Sequence, residues 1–257
     1  MVSIDIFSQI FLAIISIFSN FISALSGGGA GLIQLPALLL FGLPFTKALA
    51  THKVASVALG LGASIPHLQR NNFNKQYVYL ILISGIPGVL IGAFIASILP
   101  GNFSTTLLGC LTLFLSFYSI NNKELGSSDQ IISISKSRIL IASFGLFFIG
   151  FLNGYLSSGT GLFVTFWMIT IFKLSFSVAV AYTLILVGIF WNGIGALSLG
   201  LSGNIVWAYI PVLILGSIIG GYLGASFSLI KGSKFIKVVF EIISFLVGIS
   251  LLIKGLL

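Results

Sequence analysis

The sequence predicts an all-α polytopic membrane protein built as two inverted repeats. Each repeat has about five segments, one of them a short broken or half-helix. Three observations carry this expectation. Hydrophobic residues make up 58% of the 257 residues and charged residues 6%, against about 25% charged in a soluble domain. Apolar runs of bilayer-spanning length recur along the whole chain. Two glycine-rich stretches about 130 residues apart look alike and interrupt those runs at equivalent places.

In the first half, apolar runs lie near 6–25, 32–43, 45–66, 77–99 and 103–120. In the second they lie near 139–156, 162–172, 174–199, 205–229 and 236–257. A spanning helix needs about 20 residues. The second run of each half has about 12, or roughly 18 Å of helix, and is expected as a half-helix or a tightly tilted short segment. The longest polar stretch, Asn121 to Arg138, holds Lys123, Glu124, Asp129, Lys136 and Arg138. The chain therefore divides into a repeat at 1–120, a cytoplasmic linker at 121–138 and a repeat at 139–257. No Lys or Arg precedes the first run, where the nearby charge is Asp5, so a cleaved signal peptide is not expected. Cys110 is the single cysteine and forms no intramolecular disulfide.

The repeat continues past the glycine stretches. Gly60-Leu61-Gly62-Ala63 matches Gly193-Ile194-Gly195-Ala196, and Gly88 and Gly92-Ala93 match Gly220 and Gly224-Ala225. The latter pairs form a small-xxx-small pattern that suits close helix packing. Loop charges relate the halves. The basic loops (Arg70 and Lys75; Lys123, Lys136 and Arg138; Lys231, Lys234 and Lys237) should be cytoplasmic. The neutral loops at Pro100–Asn102 and Gly200–Asn204 should face outside. Equivalent loops carry opposite character, so the repeats are expected to be inverted, with an odd number of crossings each. Counting every short segment as a crossing gives five per repeat and both termini outside; short segments that re-enter from one face would lower the count.

The glycine stretches read Ser26-Gly27-Gly28-Gly29-Ala30-Gly31-Leu32 and Ser157-Ser158-Gly159-Thr160-Gly161-Leu162. Hydrocarbon does not tolerate free backbone N–H and C=O groups, so such breaks must sit in protein or line a watery cavity. Paired breaks in a duplicated chain place a transport site between the halves. Ala50-Thr51-His52-Lys53-Val54-Ala55-Ser56 puts a cation inside an apolar run, a functional hypothesis by default, with snorkelling to the interface as its rival. Lys47 and Lys173 read as interfacial residues. His52 points away from Lys53 and reads as a packing or helix–helix hydrogen-bonding residue that could also titrate. Glu241 reads as the partner of Lys237 four residues earlier, with a proton-carrier role as the rival. With few buried anions to balance Lys53, an anionic substrate would complete its charge. The short-helix N-termini at the breaks also attract anions. Gln34, Asn153, Ser157, Ser158, Thr160 and Asn192 add hydrogen-bonding capacity near the breaks. Trp167, Trp191 and Trp207 read as interface or packing aromatics. Gly27-Gly28-Gly29 lacks the ending of a nucleotide loop, and no zinc-like spacing or Ser-His-Asp set exists.

At these residues the chain resembles the sulfite exporter TauE/SafE family of membrane transporters. The resemblance rests on Ser26-Gly-Gly-Gly-Ala-Gly-Leu-Ile, Gly42-Leu-Pro44, Ala50-Thr-His-Lys53, Gly150-Phe-Leu-Asn-Gly-Tyr, Ser158-Gly-Thr-Gly161-Leu and the helix with Ala181 and Asn192. It covers nearly the whole chain. It implies a two-repeat carrier of small, often sulfur-containing anions that works without ATP, passively or linked to protons. Related chains can carry a second lysine in the second-half helix. Here Thr183, Leu184, Ile185 and Leu186 stand in that neighbourhood, which leaves the half-sites unequal.

The resulting expectation is a multi-pass protein of a prokaryotic plasma membrane. It would carry a small anion such as sulfite, thiosulfate or an organosulfonate by alternating access. The substrate-binding set is Gly28, Gly29, Ala30, Gly31, Gln34, Thr51, Lys53, Ser158, Gly159, Thr160, Gly161 and Asn192. The partners are the anion, the bilayer and a coupling proton or ion. Nucleic acid, metal and cofactor are not expected. An anion channel of the same fold is the first rival. A membrane-embedded enzyme lacks a catalytic constellation, and a scaffold would need neither Lys53 nor paired glycine breaks.

Overall fold

The computed structural model describes residues 6–70, 73–98, 102–129 and 135–256. Asp5, residues 100–101 of the neutral loop and residues 130–134 of the linker lie outside them. Among the described residues the chain is helical with no strand. The first half contains α1 (Ile6–Ser26), α2 (Ala30–Leu40), α3 (Phe45–Arg70), α4 (Lys75–Ala96) and α5 (Asn102–Asn121). The second contains α6 (Lys136–Leu156), α7 (Thr160–Phe172), α8 (Phe176–Tyr182), a π-helical stretch (Thr183–Trp191), α9 (Asn192–Gly200), a 3₁₀ turn (Trp207–Tyr209) and α10 (Ile210–Leu256). Each predicted apolar run is helical. Two features depart from the expectation. The run at 174–199 is one helix with a π-helical middle, and the last two runs are the two limbs of α10, separated by Gly232 at φ 78° and ψ 178°.

Ordinary side-chain capping starts three of these helices. Asn74, Ser135 and Ser175 stand at the N-caps of α4, α6 and α8, and their side chains accept from Gln76 N, Arg138 N and Val178 N. Such caps satisfy donors that the first turn leaves without intrahelical partners. α2 and α7 are different. They begin at Gly29 and Gly159, both left-handed and without a side chain to cap anything.

Two hydrogen bonds give the direction of the third helix in each half. Val206 N donates to Thr51 Oγ1 at 3.1 Å, and Asn74 N donates to Tyr182 OH at 2.6 Å. Each joins the backbone just ahead of one half's fourth helix to a hydroxyl near the start of the other half's third helix. So α3 and the α8–π–α9 helix run in opposite directions, each beginning where the other ends. α2 does not cross: Gln34 Nε2 donates to Ser16 Oγ at 3.0 Å, and the Phe11 and Phe41 rings are 6.1 Å apart. It folds back along α1 to the end where α3 begins. α7 returns along α6 likewise, with Trp167 Nε1 donating to Ala142 O at 3.3 Å. Of the two alternatives left open for the short segments, these contacts fit the one in which they fold back. Helices of 11 and 13 residues span roughly 17–20 Å, well short of the ~30 Å hydrocarbon core. Each half holds a long helix with a short one folded back along it, followed by three long limbs.

The long helices meet at glycines. A Cβ on Gly88 would strike Phe147 O and Phe151 N of α6, and one on Gly220 would strike Ile17 O and Phe21 N of α1. α4 thus packs on α6 as the first limb of α10 packs on α1, with backbones in contact, as the small-residue pattern predicted. Lys237 and Glu241 pair at 3.8 Å, and Glu241 Oε1 also accepts from Ser119 Oγ at 2.8 Å. Trp191 is buried and donates to Ile81 O, whereas Trp207 is exposed. One end of the molecule gathers Arg70, bonded to Leu229 O, and Lys237, bonded to Asn122 O and Lys123 O. The opposite end, with the 201–206 loop and the start of α3, carries Lys47.

Candidate functional site

The two breaks touch. Gly27 (φ 83°) and Gly29 (φ 109°) turn the chain between α1 and α2; Ser157 (φ 59°) and Gly159 (φ 75°) do so between α6 and α7. A positive φ costs a residue with a Cβ and costs glycine almost nothing. The glycines between serve a second purpose. A Cβ on Gly28 would lie 2.7 Å from Leu162 N and 2.9 Å from Gly161 Cα, and one on Gly161 would lie 2.6 Å from Gly27 O. Ser158 Oγ donates to Gly31 O at 3.1 Å and fastens the two breaks together.

Beside this contact lies a cavity of about 40 Å³, room for about three water-sized groups. Both first helical turns wall it, through Gly29, Ala30 and Gly31 on one side and Thr160 and Gly161 on the other. His52, Ser56 and Leu59 come from the middle of α3, and Thr183, Leu184, Val187 and Gly188 from the π-helical middle of the opposing helix. The cavity is therefore at mid-depth. Two short helices direct uncapped N-termini and their positive dipole ends at it, and no carboxylate is among the lining residues. The remaining polar wall is Ser23, Asn153, Ser157 and Asn192.

Lys53 stands one layer behind that wall, 0% exposed. Its Nζ donates to Asn153 O at 2.8 Å, Asn153 Oδ1 at 3.2 Å and Asn192 Oδ1 at 3.3 Å. Those acceptors use its three donors and hold both asparagine amides in place. Asn153 Nδ2 in turn donates to Thr160 Oγ1 at 2.9 Å. Snorkelling is thereby overturned, and direct cavity lining is not what replaces it: the charge reaches the cavity through two amides. On the other side, His52 Nδ1 is 2.7 Å from Gln34 Oε1, and Nε2 is 3.2 Å from Ser56 Oγ.

The sequence profile of the family described as "Sulfite exporter TauE/SafE" matches residues 12–251. The chain belongs to this family. It is 30% identical over 249 residues to a "Probable membrane transporter protein" of Haemophilus influenzae, covering 95% of this chain and 94% of that one. It is 28% identical over 243 residues to "Probable membrane transporter protein ORF9" of a Sinorhizobium species, covering 94% and 91%. With "Probable membrane transporter protein YfcA" of Escherichia coli K12 the identity is 26% over 245 residues, covering 94% and 88%. No solved structure matches significantly. The protein is thus a multi-pass membrane protein of a transporter family, not of an enzyme family, and its activity class is membrane transport.

Of the residues expected from sequence, Gly28, Gly29, Ala30, Gly31, Thr160, Gly161 and Asn192 line the cavity. Lys53, Gln34, Ser158 and Gly159 surround it without lining it: Lys53 and Gln34 hold wall residues, Ser158 bonds the opposite break and Gly159 makes the turn. Thr51 is placed elsewhere, its hydroxyl taken by Val206 N. His52, assigned to packing on sequence grounds, lines the cavity, as do Ser23, Ser56 and the π-helical residues. Ser56 had a readable signal, one helical turn beyond His52. The π-helical wall has a sign only in the unequal spacing of the two halves.

Proposed function

We propose that the protein is a secondary transporter of a small anion, carried by alternating access at the interface of two inverted repeats. The observation that carries this reading is the cavity between two apposed, uncapped helix N-termini. Their N–H groups and dipoles favour an anion, the buried Lys53 adds positive charge through Asn153 and Asn192, and no lining carboxylate opposes it. The family's description names sulfite, which supports sulfite, thiosulfate or an organosulfonate as the substrate class. The first-turn N–H groups at 29–31 and 160–161, with the side-chain N–H groups of Asn153 and Asn192, would hold the oxyanion; the Thr160 hydroxyl donates to Ser157 O and positions Asn153. In proteoliposomes, labelled thiosulfate or sulfite uptake is expected to saturate and to accelerate when the same anion is loaded inside. Uptake that stays linear with concentration and ignores the internal anion would favour a channel instead.

The repeats would be residues 1–120 and 139–257, joined through a cytoplasmic linker at 121–138. The exchanged hydrogen bonds, Val206 to Thr51 and Asn74 to Tyr182, support a two-fold relation between them, since such a relation makes contacts come in reciprocal pairs. The basic end would be cytoplasmic. In a Cys110→Ser background, Ser202→Cys is expected to react with an impermeant maleimide on intact cells, and Gln69→Cys only after permeabilisation. Labelling of both from one side would reject the inversion.

A further inference from the structure

We infer that His52 is the proton-binding group of the cavity, so that anion and proton are loaded together. This rests on the anion reading above and deepens it.

A directional chain of hydrogen bonds fixes the ring. Ser16 Oγ has one proton and two acceptors for it away from Gln34, Leu213 O at 2.9 Å and Ser217 Oγ at 3.1 Å; a backbone carbonyl only accepts. Ser16 Oγ therefore accepts from Gln34 Nε2 at 3.0 Å, which turns Gln34 Oε1 toward His52 Nδ1, 2.7 Å away. An amide oxygen only accepts, so Nδ1 carries the hydrogen and neutral His52 keeps a bare Nε2. That nitrogen sits at the cavity wall. It lies between two lining residues, Ser56 and Gly31, and a Cβ on Gly31 would come within 2.9 Å of it.

Ser56 is placed to serve both protonation states. Its Oγ is 3.2 Å from Nε2 and 3.1 Å from His52 O. With Nε2 bare, the hydroxyl donates to it. With Nε2 protonated, the hydroxyl swings its hydrogen to His52 O and accepts from Nε2–H. The proton comes from water on the loading side and returns to water on release, with no other bond made or broken. Around the ring, α2 presents Gln34, itself bonded to Ser16 of α1; Ser158 of the α6–α7 break bonds Gly31 O beside it, and the π-helical stretch contributes Thr183 to the same cavity wall. The charged neighbour is Lys53, the next residue on α3, whose ammonium is turned to Asn153 and Asn192. His52 is the one titratable side chain among the lining residues. An anion in the cavity therefore favours the protonated ring, and a protonated ring favours the anion.

The test counts protons. Sulfate, thiosulfate and methanesulfonate stay ionised near neutral pH, so any proton taken up on binding goes to the protein. In weakly buffered nanodiscs, over the pH range in which free His52 is neutral and the anion-bound ring is protonated, the parent is expected to take up about one proton per bound anion, and its affinity should rise there about tenfold per unit fall in pH. His52→Gln should bind with neither uptake nor pH dependence. Nitrogen NMR of the two histidines, His52 and His67, with His67→Gln as the assignment control, should show a bare Nε2 that becomes protonated on anion addition. This reading holds even if His52→Gln does not fold. Anion binding without proton uptake, or pH dependence retained in a folded His52→Gln, overturns the assignment and leaves the anion site standing. Failure of all three anions to bind the parent overturns the anion reading and this inference with it.

Discussion

Gly28→Ala and Gly161→Ala are each expected to lower the transport rate by about tenfold or more, with normal amounts of protein in the membrane. The added methyl meets backbone, not flexible side chains: Leu162 N at 2.7 Å for Gly28, and Gly27 O at 2.6 Å for Gly161. Backbone cannot rotate away, so the two breaks must separate and the cavity between the helix N-termini loses its shape. Overpacking of this kind typically costs about 1–3 kcal/mol, and each 1.4 kcal/mol is about a factor of ten. Gly193→Ala is the control. Its methyl would find only Val57 Cγ2 at 3.8 Å, an ordinary contact, and it should transport like the parent. Initial uptake rates per reconstituted molecule decide the comparison. Parent-like rates in Gly28→Ala and Gly161→Ala would remove the apposed breaks from the mechanism.

The second large effect is expected at Lys53. Lys53→Leu would abandon two buried amide oxygens, Asn153 Oδ1 and Asn192 Oδ1, while Asn153 O keeps Ser157 N. An unsatisfied buried polar group costs about 1–3 kcal/mol, so the variant should unfold at clearly lower temperature. Lys53→Gln keeps donors but removes the charge. Lys53 acts on the cavity only through Asn153 and Asn192, so Lys53→Gln should weaken anion binding by less than the roughly tenfold to hundredfold that loss of a direct charged hydrogen bond of about 1.5–3 kcal/mol would cost. Lys53→Arg should lose less affinity, although a planar fork fits poorly where Nζ now sits; a Cβ on nearby Gly195 would already be 2.9 Å from Lys53 Cδ. Titration of each folded variant separates the two roles. Equal affinity in parent and Lys53→Gln would reduce Lys53 to a brace for the asparagines.

Much of the fold was legible because the bilayer restricts the alphabet. Apolar length gave the helices, and the Gly88/Gly92 and Gly220/Gly224 pairs gave the close helix contacts. The glycine breaks were legible because nothing else in hydrocarbon explains two matched glycine clusters. The re-entrant path of α2 and α7 was left open, since length shows that a helix is short but not which way it runs. The π-helical stretch was hidden for a different reason. From Gly42 to Gly60 is 18 residues, whereas from their counterparts Lys173 to Gly193 is 20. A wider turn absorbs surplus residues, but only alignment of the two halves reveals a surplus. How Lys53 and His52 divide the site between them was not legible, since they are neighbours in one apolar run. A charge in an apolar run draws attention, yet burial in protein makes partners necessary. Asn153 and Asn192 supply them from helices far away in sequence, so the charge is held in the wall and the neighbouring ring reaches the cavity.

The central claim is that the two helix N-termini at the breaks bind an anion. The most direct measurement is anomalous diffraction from crystals grown with selenate or selenosulfate. The expected result is one selenium peak beside the first turns of α2 and α7, within hydrogen-bonding reach of backbone N–H groups at 29–31 and 160–161 and lost in Gly161→Ala. Selenium bound only elsewhere on the protein, or an empty cavity at concentrations where the same anion protects against thermal unfolding, would contradict it.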